Sequence, residues 1–276
     1  MAGHWPPSGP LDDTRPVAKV DTTVAHISRI YDYWLGGKDN FAVDRIAAER
    51  VIEAFPNIVL SARANRVYLA RVVRYLVGEA GIRQFLDIGT GLPAANNTHE
   101  VAQHEAPECR VVYVDNDPVV LSHAKALLAS GPHGATAYVD ADLRDPETIL
   151  AAAAEVLDFS RPVAVMLIAI LQHIGDQDDP FGIVAKLMAA VPPGSYLAIS
   201  HPASDIEAGA MAEIADRMNE MVAEKVTFRN RAGILRFFDG LELVEPGVVP
   251  GPQWRPASDL EAASPTVMWA GVGRKS

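Results

Sequence analysis

Three short stretches set carboxylates and bare backbone where a nucleoside could be held. "FLDIGTGLP", residues 85–93, puts Asp87 just ahead of Gly89, Thr90 and Gly91. Glycines there allow a sharp turn after a strand and leave main chain open to a ligand. "VVYVDND" carries Asp115 roughly two dozen residues after Gly91, near the spacing of about 20 expected of an acid that holds ribose hydroxyls. "YVDADL" offers Asp142 and Leu143 to an adenine edge and face, or Asp140 if its strand ends earlier. Asn116 beside Asp115, and Ala169 within the apolar run 163–171, complete the candidate cofactor contacts. For one acid alone, helix capping or turn chemistry is an equal explanation. For three acids after consecutive strands it is a poor one.

The kind of nucleoside follows from charge. A dinucleotide turn, G-x-G-x-x-G, rests pyrophosphate on a helix N-terminus and wants a third glycine. Here Ala94 holds that place, and Pro93 and "NNTHE" surround it. Asp87 weighs more: a carboxylate there repels pyrophosphate and suits an ammonium group. S-adenosylmethionine carries an ammonium, a sulfonium and an adenosine, and no phosphate. A short-chain reductase using NAD would also need a Tyr-x-x-x-Lys pair, which the sequence lacks. "YDYWLGGKDN", residues 31–40, imitates the end of a P-loop but fails the test. Asp32 stands where the first glycine belongs, and Asp39 follows Lys38 where a hydroxyl residue should bind magnesium.

The elements that must position these residues alternate. "RQFLDIG", "RVVYVDND", "TAYVDADL", "PVAVMLIAIL" and "GSYLAISH" read as short buried strands with helical stretches between them. That order predicts an α/β fold with a doubly wound, mostly parallel sheet, whose ligands lie at the carboxyl ends of the strands. Residues 1–20, rich in Pro, Gly and Asp, read as a flexible leader. Residues 21–81 carry helical periodicity only and form an N-terminal cap. Residues 82–276 form the core, with a helical insertion near 204–238 and two closing strands, "LELVEPGVVP" and "TVMWAGVG".

Composition narrows the partners. The chain has 276 residues, 49% hydrophobic and 21% charged, with net charge −11 and no Lys/Arg run. Such a field disfavours nucleic acid and anionic membranes, so a small-molecule acceptor is expected. No apolar run approaches the roughly 20 residues of a membrane span. The single cysteine, Cys109, fits a reducing cytoplasm and reads as a structural thiol. His99 and His104 are spaced off the i, i+4 pattern of a metal-binding helix, and the acids Asp176, Asp178 and Asp179 read as a helix start, so no metal is expected.

Taken in order, "FLDIGTGLP", "VVYVDNDP", "YVDADLRDP" and "AILQHIGDQDDP" resemble the successive cofactor motifs of class I S-adenosylmethionine-dependent methyltransferases. With "RIYDYWLGGKDNFAVDR" and "FFDGLELVEPGVVPGPQWRP", the chain resembles more narrowly the actinobacterial-type S-adenosyl methyltransferase family, from about Val20 to Val272. The resemblance implies a seven-stranded Rossmann-like methyltransferase sheet with its last strand antiparallel. It implies S-adenosylmethionine across the first three strand ends, with S-adenosylhomocysteine as product. Asp87, Gly89, Thr90 and Gly91 would line the methionine end, Asp115 the ribose, and Asp142 with Leu143 the adenine. It also implies that the N-terminal helices close over the site. Tyr31, Tyr33 and Trp34 would then form apolar walls, and Gly36–Gly37 a break in the chain. Lys38, Asp39 and Asn40 would give polar contacts, and Arg63 and Asn65 would reach a carboxylate. A glycine-capped helix end with a solvated turn is the alternative for residues 35–40.

Methyl transfer from a sulfonium is an in-line displacement, in which alignment and exclusion of water matter most. A base is needed only if the acceptor must lose a proton early. His173 after the fourth strand, His201 after the fifth, and Tyr31 are the candidates. The competing function is a non-catalytic protein that senses or sequesters S-adenosylmethionine or S-adenosylhomocysteine, since no base is assured.

Overall fold

The structure, a computed structural model, describes residues 21–127 and 134–276. The leader expected over 1–20 lies outside the described residues. In chain order the elements begin with α1 (Ile27–Leu35), α2 (Ala42–Ala54) and α3 (Ile58–Gly78). Then come β1 (Gln84–Ile88), α4 (Thr98–Glu105), β2 (Arg110–Asp115), α5 (Pro118–Leu127), β3 (Ala135–Asp140), α6 (Pro146–Ala153) and β4 (Ala164–Ile168). The rest is α7 (Pro180–Ala189), β5 (Tyr196–Pro202), α8 (Ala208–Met221), α9 (Arg231–Leu235), β6 (Glu242–Leu243), β7 (Val249–Pro250), α10 (Asp259–Ala262) and β8 (Met268–Arg274).

The strands form one sheet in the order β3-β2-β1-β4-β5-β8-β6, with β7 also paired to β8. β1 to β5 are mutually parallel, and β8 runs antiparallel to β5. The chain winds outward from β1 to β3, then restarts at β4 on the other side of β1. That reversal opens a crevice above the carboxyl ends of β1 and β4.

Alternation along each strand sorts the core into two layers. Leu86, Ile88, Val112, Val114, Val165 and Leu167 face α6 and α7, where Ile149, Ile183 and Leu187 meet them. Phe85, Val111, Tyr113, Ala164 and Met166 face α3 and α4, packing on Tyr68, Val72, Leu76 and Val101. Period two puts Asp87 on the α3–α4 side, with Phe85. On that side Tyr68, fully buried, donates its hydroxyl proton towards Ile199 O (3.0 Å) and Gly271 O (2.9 Å), tying α3 to β5 and β8.

A third core lies beyond the strand ends. Ile30, Trp34, Ala47, Ala48, Val51, Ile58 and Ala62 from α1–α3 pack with Met211, Ile214 and Met218 of α8 and with Val226 and Val267. The cap therefore joins two sequence-distant segments.

Two expectations change in detail. The sheet has eight strands rather than seven, because the expected strand "LELVEPGVVP" is split into β6 and β7. Pro246, which has no N–H for a ladder, and Gly247, at φ +85°, turn the chain between them. The helical stretch expected over 204–238 is α8, then an extended segment, then α9. The segment bridges Val222 to Ala25 and Arg229 to Ala203, and these contacts hold it against the cap and β5.

Tyr68→Phe would remove the hydroxyl that ties α3 to two carbonyls also paired in the β5–β8 ladder. An expected loss of about 0.5–1.5 kcal/mol in unfolding free energy, read by denaturant titration, checks this role.

Candidate functional site

The crevice above β1 and β4 deepens into a cavity between the strand ends and the cap. It has a volume of about 170 Å³ and is lined from both the strand ends and the cap helices.

At the sheet end, β1 runs straight into the turn Gly89–Gly91. Gly89 (φ +75°) donates its N–H to Val114 O at 2.8 Å. Glycine is required twice over there. The positive φ suits no ordinary side chain, and a Cβ would collide with the side chain of Ile170. Gly91 (φ +63°) donates its N–H to Asp115 Oδ2 at 2.8 Å, so the turn after β1 is tied to the end of β2. Asp115 also accepts from the N–H of Asp117 (2.9 Å), and burial raises its carboxyl above the usual range. Each oxygen still has a free lone pair.

Asp87 is 4% exposed and accepts one hydrogen bond, from Thr98 Oγ1 at 2.6 Å. Burial pushes its pKa up to about 6, against the lowering effects of Thr98 and the Arg66 charge. Ionising it near neutrality costs on the order of 3 kcal/mol by the linkage between pKa and free energy. A nearby cation would offset that cost.

The cap side contributes Tyr31, Trp34 and Asn65. Tyr31 donates to Ala62 O (3.0 Å) and accepts from Asn65 Nδ2 (3.1 Å); Trp34 donates to Ala48 O (3.3 Å). Arg66, not Arg63, is the arginine that lines the cavity, while Arg63 points to solvent. Nη2 of Arg66 donates to Ala95 O, Asn96 O and Asn97 Oδ1, leaving its buried Nε without a partner. Asn65 Oδ1, Gln172 Oε1 and His173 Nδ1 are likewise buried and unpaired, and all four residues line the cavity. A buried polar atom without a partner costs roughly 1–3 kcal/mol. Four around one cavity suit a polar ligand that completes them.

The β4 end supplies Ala169, Ile170, Gln172 and His173. Ala169 sits at φ +55°, strained for alanine, with its N–H bonded to Ser200 O and its carbonyl accepting from Gln172 Nε2. That second bond fixes the orientation of the Gln172 amide. Its nitrogen then donates to His173 Nε2 (3.1 Å), which leaves the His173 proton on Nδ1. Burial, with the His26 and Arg144 charges, lowers His173 to about 4.

Several expected positions fall elsewhere. Asn116 lines the cavity and donates to Asp142 Oδ2 (3.1 Å), but Asp142 itself lies outside the lining, paired with Arg144. Leu143 is 5% exposed and packs among Ile88, Val114 and Ile149, so its side chain faces the core rather than a ligand. β3 ends at Asp140, which is exposed. His201 is fully buried away from the cavity, donating from Nδ1 to Pro202 O and accepting at Nε2 from Arg229. Burial drives it down to about 3, so it is a structural anchor for Arg229. Lys38 is exposed and outside the lining. Asn40 is buried and donates to Asp32 Oδ2 (2.8 Å), bracing the turn after α1 without reaching the cavity. Gly36, at φ +85°, caps α1, as the glycine-capped alternative had it.

Sequence reading missed one tie between cap and sheet. Ser28 Oγ donates to Asp117 Oδ2 at 2.6 Å, and His26 Nδ1 lies 3.0 Å from the same oxygen. Burial works against the Asp117 charge, yet His26 and Ser28 hold that carboxyl down to about 2. The start of α1 is thereby fastened two residues beyond Asp115.

Comparison with known proteins decides the family. A family model described as S-adenosyl methyltransferase matches residues 13–276. The chain belongs to the S-adenosyl methyltransferase family. It is an S-adenosylmethionine-dependent methyltransferase, and S-adenosylmethionine is its cofactor. A DUF574-family protein from Streptomyces avermitilis is 44% identical with a TM-score of 0.90, the match covering 94% of this chain and 100% of that one. A candidate methyltransferase from Thermobifida fusca is 43% identical with a TM-score of 0.86, covering 93% and 97%. Human N-acetylserotonin methyltransferase, solved with SAM, shares the fold alone: 14% identity and a TM-score of 0.50 over 89% of this chain and 62% of that one. No curated protein matches the chain. Among the described residues, no helix of this methyltransferase is long and apolar enough to cross a membrane.

Gly89→Ala tests the turn. It is expected to cost about 1–3 kcal/mol of stability from backbone strain and collision. It should also abolish S-adenosylhomocysteine binding, read by calorimetric titration of the folded variant.

Proposed function

We propose that this methyltransferase holds S-adenosylmethionine along the β1–β2 end of the cavity and passes its methyl group to a small molecule under the cap. The observation that carries the reading is Asp87, a buried carboxylate raised to about 6 beside the Gly89–Gly91 turn. The residues fit the cofactor. Asp87 and Asn65 Oδ1 would hold the ammonium, the unpaired Arg66 Nε would hold the carboxylate, and bare backbone at Gly89 and Gly91 would let the chain approach closely. Asp115 has lone pairs free for the ribose hydroxyls, with Asn116 beyond it. Asp142 would reach a ligand only through Asn116, and Leu143 is withdrawn from this role.

Bound S-adenosylmethionine supplies an electrophilic methyl on a sulfonium, and the rest falls to the protein. Asp87, Asp115 and Arg66 orient the cofactor. Tyr31 and Trp34 shield the reacting region from water, which strengthens every electrostatic contact inside. Neither histidine is suited to be a base. His201 lies outside the cavity, and His173 carries its proton on the atom left free. The transfer therefore depends on alignment, and an acceptor that is nucleophilic without prior deprotonation fits it.

Asp87→Asn separates this role from a structural one. Because the folded carboxyl is raised, its ionised form opposes folding, a penalty that grows above the usual 3.8 and is complete above about 6. At pH 7 the amide variant is expected to be as stable as the parent or more so. It should nonetheless bind S-adenosylhomocysteine at least about tenfold more weakly, having lost a charge-assisted contact. Equal affinity would contradict the assignment. Methyl transfer from labelled S-adenosylmethionine to added acceptors distinguishes the enzyme from a pure binding protein.

A further inference from the structure

Away from the strand ends the cavity wall turns apolar. Trp34 of α1, Met211 and Met218 of α8, Phe228, and Met268 at the start of β8 form this far wall. Ring faces and polarisable methionine sulfurs pack well on a flat ring, and a cation gains further from a Trp or Phe face. The charges on the lining are mostly negative: Asp32, Asp87, Asp115 and Glu224 all reach it. Neutral donors bond the first three. Asp39 N–H and Asn40 Nδ2 hold Asp32, Thr98 holds Asp87, and the N–H groups of Gly91 and Asp117 hold Asp115. Glu224 is half-buried on the segment after α8. Among the described residues, Arg66 at the cofactor end is the one Lys or Arg on the lining. His26 is paired with Asp117, and His173, lowered by burial, is neutral. Gln172 Oε1, buried and without a partner, adds the negative end of an amide dipole.

Methyl transfer takes the positive charge off sulfur, so this excess of negative charge bears on the acceptor. A hydroxyl acceptor loses its proton, which removes the charge from the cavity and calls for a base. His173 carries its proton on Nδ1, and Tyr31 directs its hydroxyl proton at Ala62 O. The carboxylates draw a hydroxyl proton poorly, because their ordinary pKa lies far below that of a phenol. A pyridine-type ring nitrogen differs on both counts. Its lone pair is free at neutral pH, no proton has to leave, and the positive charge passes from sulfur to nitrogen inside the cavity.

We infer that the acceptor is a neutral aromatic nitrogen heterocycle, methylated on a ring nitrogen, whose cationic product is held by Glu224 and the ring faces of the far wall. The inference rests on the reading that S-adenosylmethionine fills the other end. In the transfer, the lone pair of the ring nitrogen bonds to the methyl carbon while the carbon–sulfur bond breaks with its pair left on sulfur. No proton is released. The products are an N-methylated ring cation and S-adenosylhomocysteine.

The test is calorimetric titration of the protein, first with S-adenosylhomocysteine and then, once loaded, with N-methylquinolinium, 1-methylnaphthalene and 1-naphthoate. These probes share a bicyclic frame and differ in charge. N-Methylquinolinium is expected to bind at least about tenfold more tightly than either of the others, through the ring faces and the Glu224 charge. Glu224→Gln is expected to weaken N-methylquinolinium by at least about threefold, as loss of one nearby charge implies, and to leave S-adenosylhomocysteine and 1-methylnaphthalene within about twofold. Equal or tighter binding of 1-methylnaphthalene or 1-naphthoate would overturn the inference, as would an unchanged cation affinity in the variant. A first titration without S-adenosylhomocysteine binding would instead overturn the cofactor reading beneath it.

Discussion

A carboxylate kept almost free of water at the end of β1 sets the terms for everything around it. Period two places Asp87 on the α3–α4 face of the sheet, where Thr98 gives it one hydrogen bond and the packing gives it little else. In a dry site an ion without a counter-charge is costly, and the pKa of about 6 measures that imbalance. Arg66, one helical turn before Ala70 on the buried side of α3, softens the cost without pairing directly, because its Nη2 is committed to the 95–97 loop. The local structure is thus tuned for a ligand that brings a positive charge.

The cap turns this local imbalance into a chamber. α1–α3 and α8 cannot bury their apolar faces alone, and they do so against one another across the strand ends. The Ser28 and His26 contacts with Asp117 fasten the start of α1 to the loop that also presents an N–H to Asp115. Closing the chamber and shaping the cofactor end are therefore linked through one short segment, residues 115–117.

The strand-end motifs were legible because strand, glycine turn and acid are all local features: Asp87, Gly89, Gly91 and Asp115 lie at strand ends and line one cavity. Helix geometry could have separated Arg66 from Arg63. Ser61, Asn65 and Leu69 define the buried stripe of α3, and Arg66 borders it while Arg63 lies on the opposite side. Leu143 and His201 lie apart from the cavity for a different reason. A residue just past a strand end can turn inward as readily as outward, and only tertiary partners, the α6 core for Leu143 and Arg229 for His201, decide which. The far wall was invisible, because Met211, Met218 and Phe228 reach the cavity only through packing with helices about 180 residues earlier in the chain.

The most direct test of the account is the number of protons exchanged when S-adenosylhomocysteine binds at pH 6. It is obtained by titration calorimetry in two buffers of different ionisation enthalpy. With Asp87 half-protonated in the free protein and ionised against the ligand's ammonium, about half a proton should leave the site per ligand bound, and none from Asp87→Asn. Equal proton exchange by the parent and the variant would contradict the central claim that Asp87 receives the cofactor's charge.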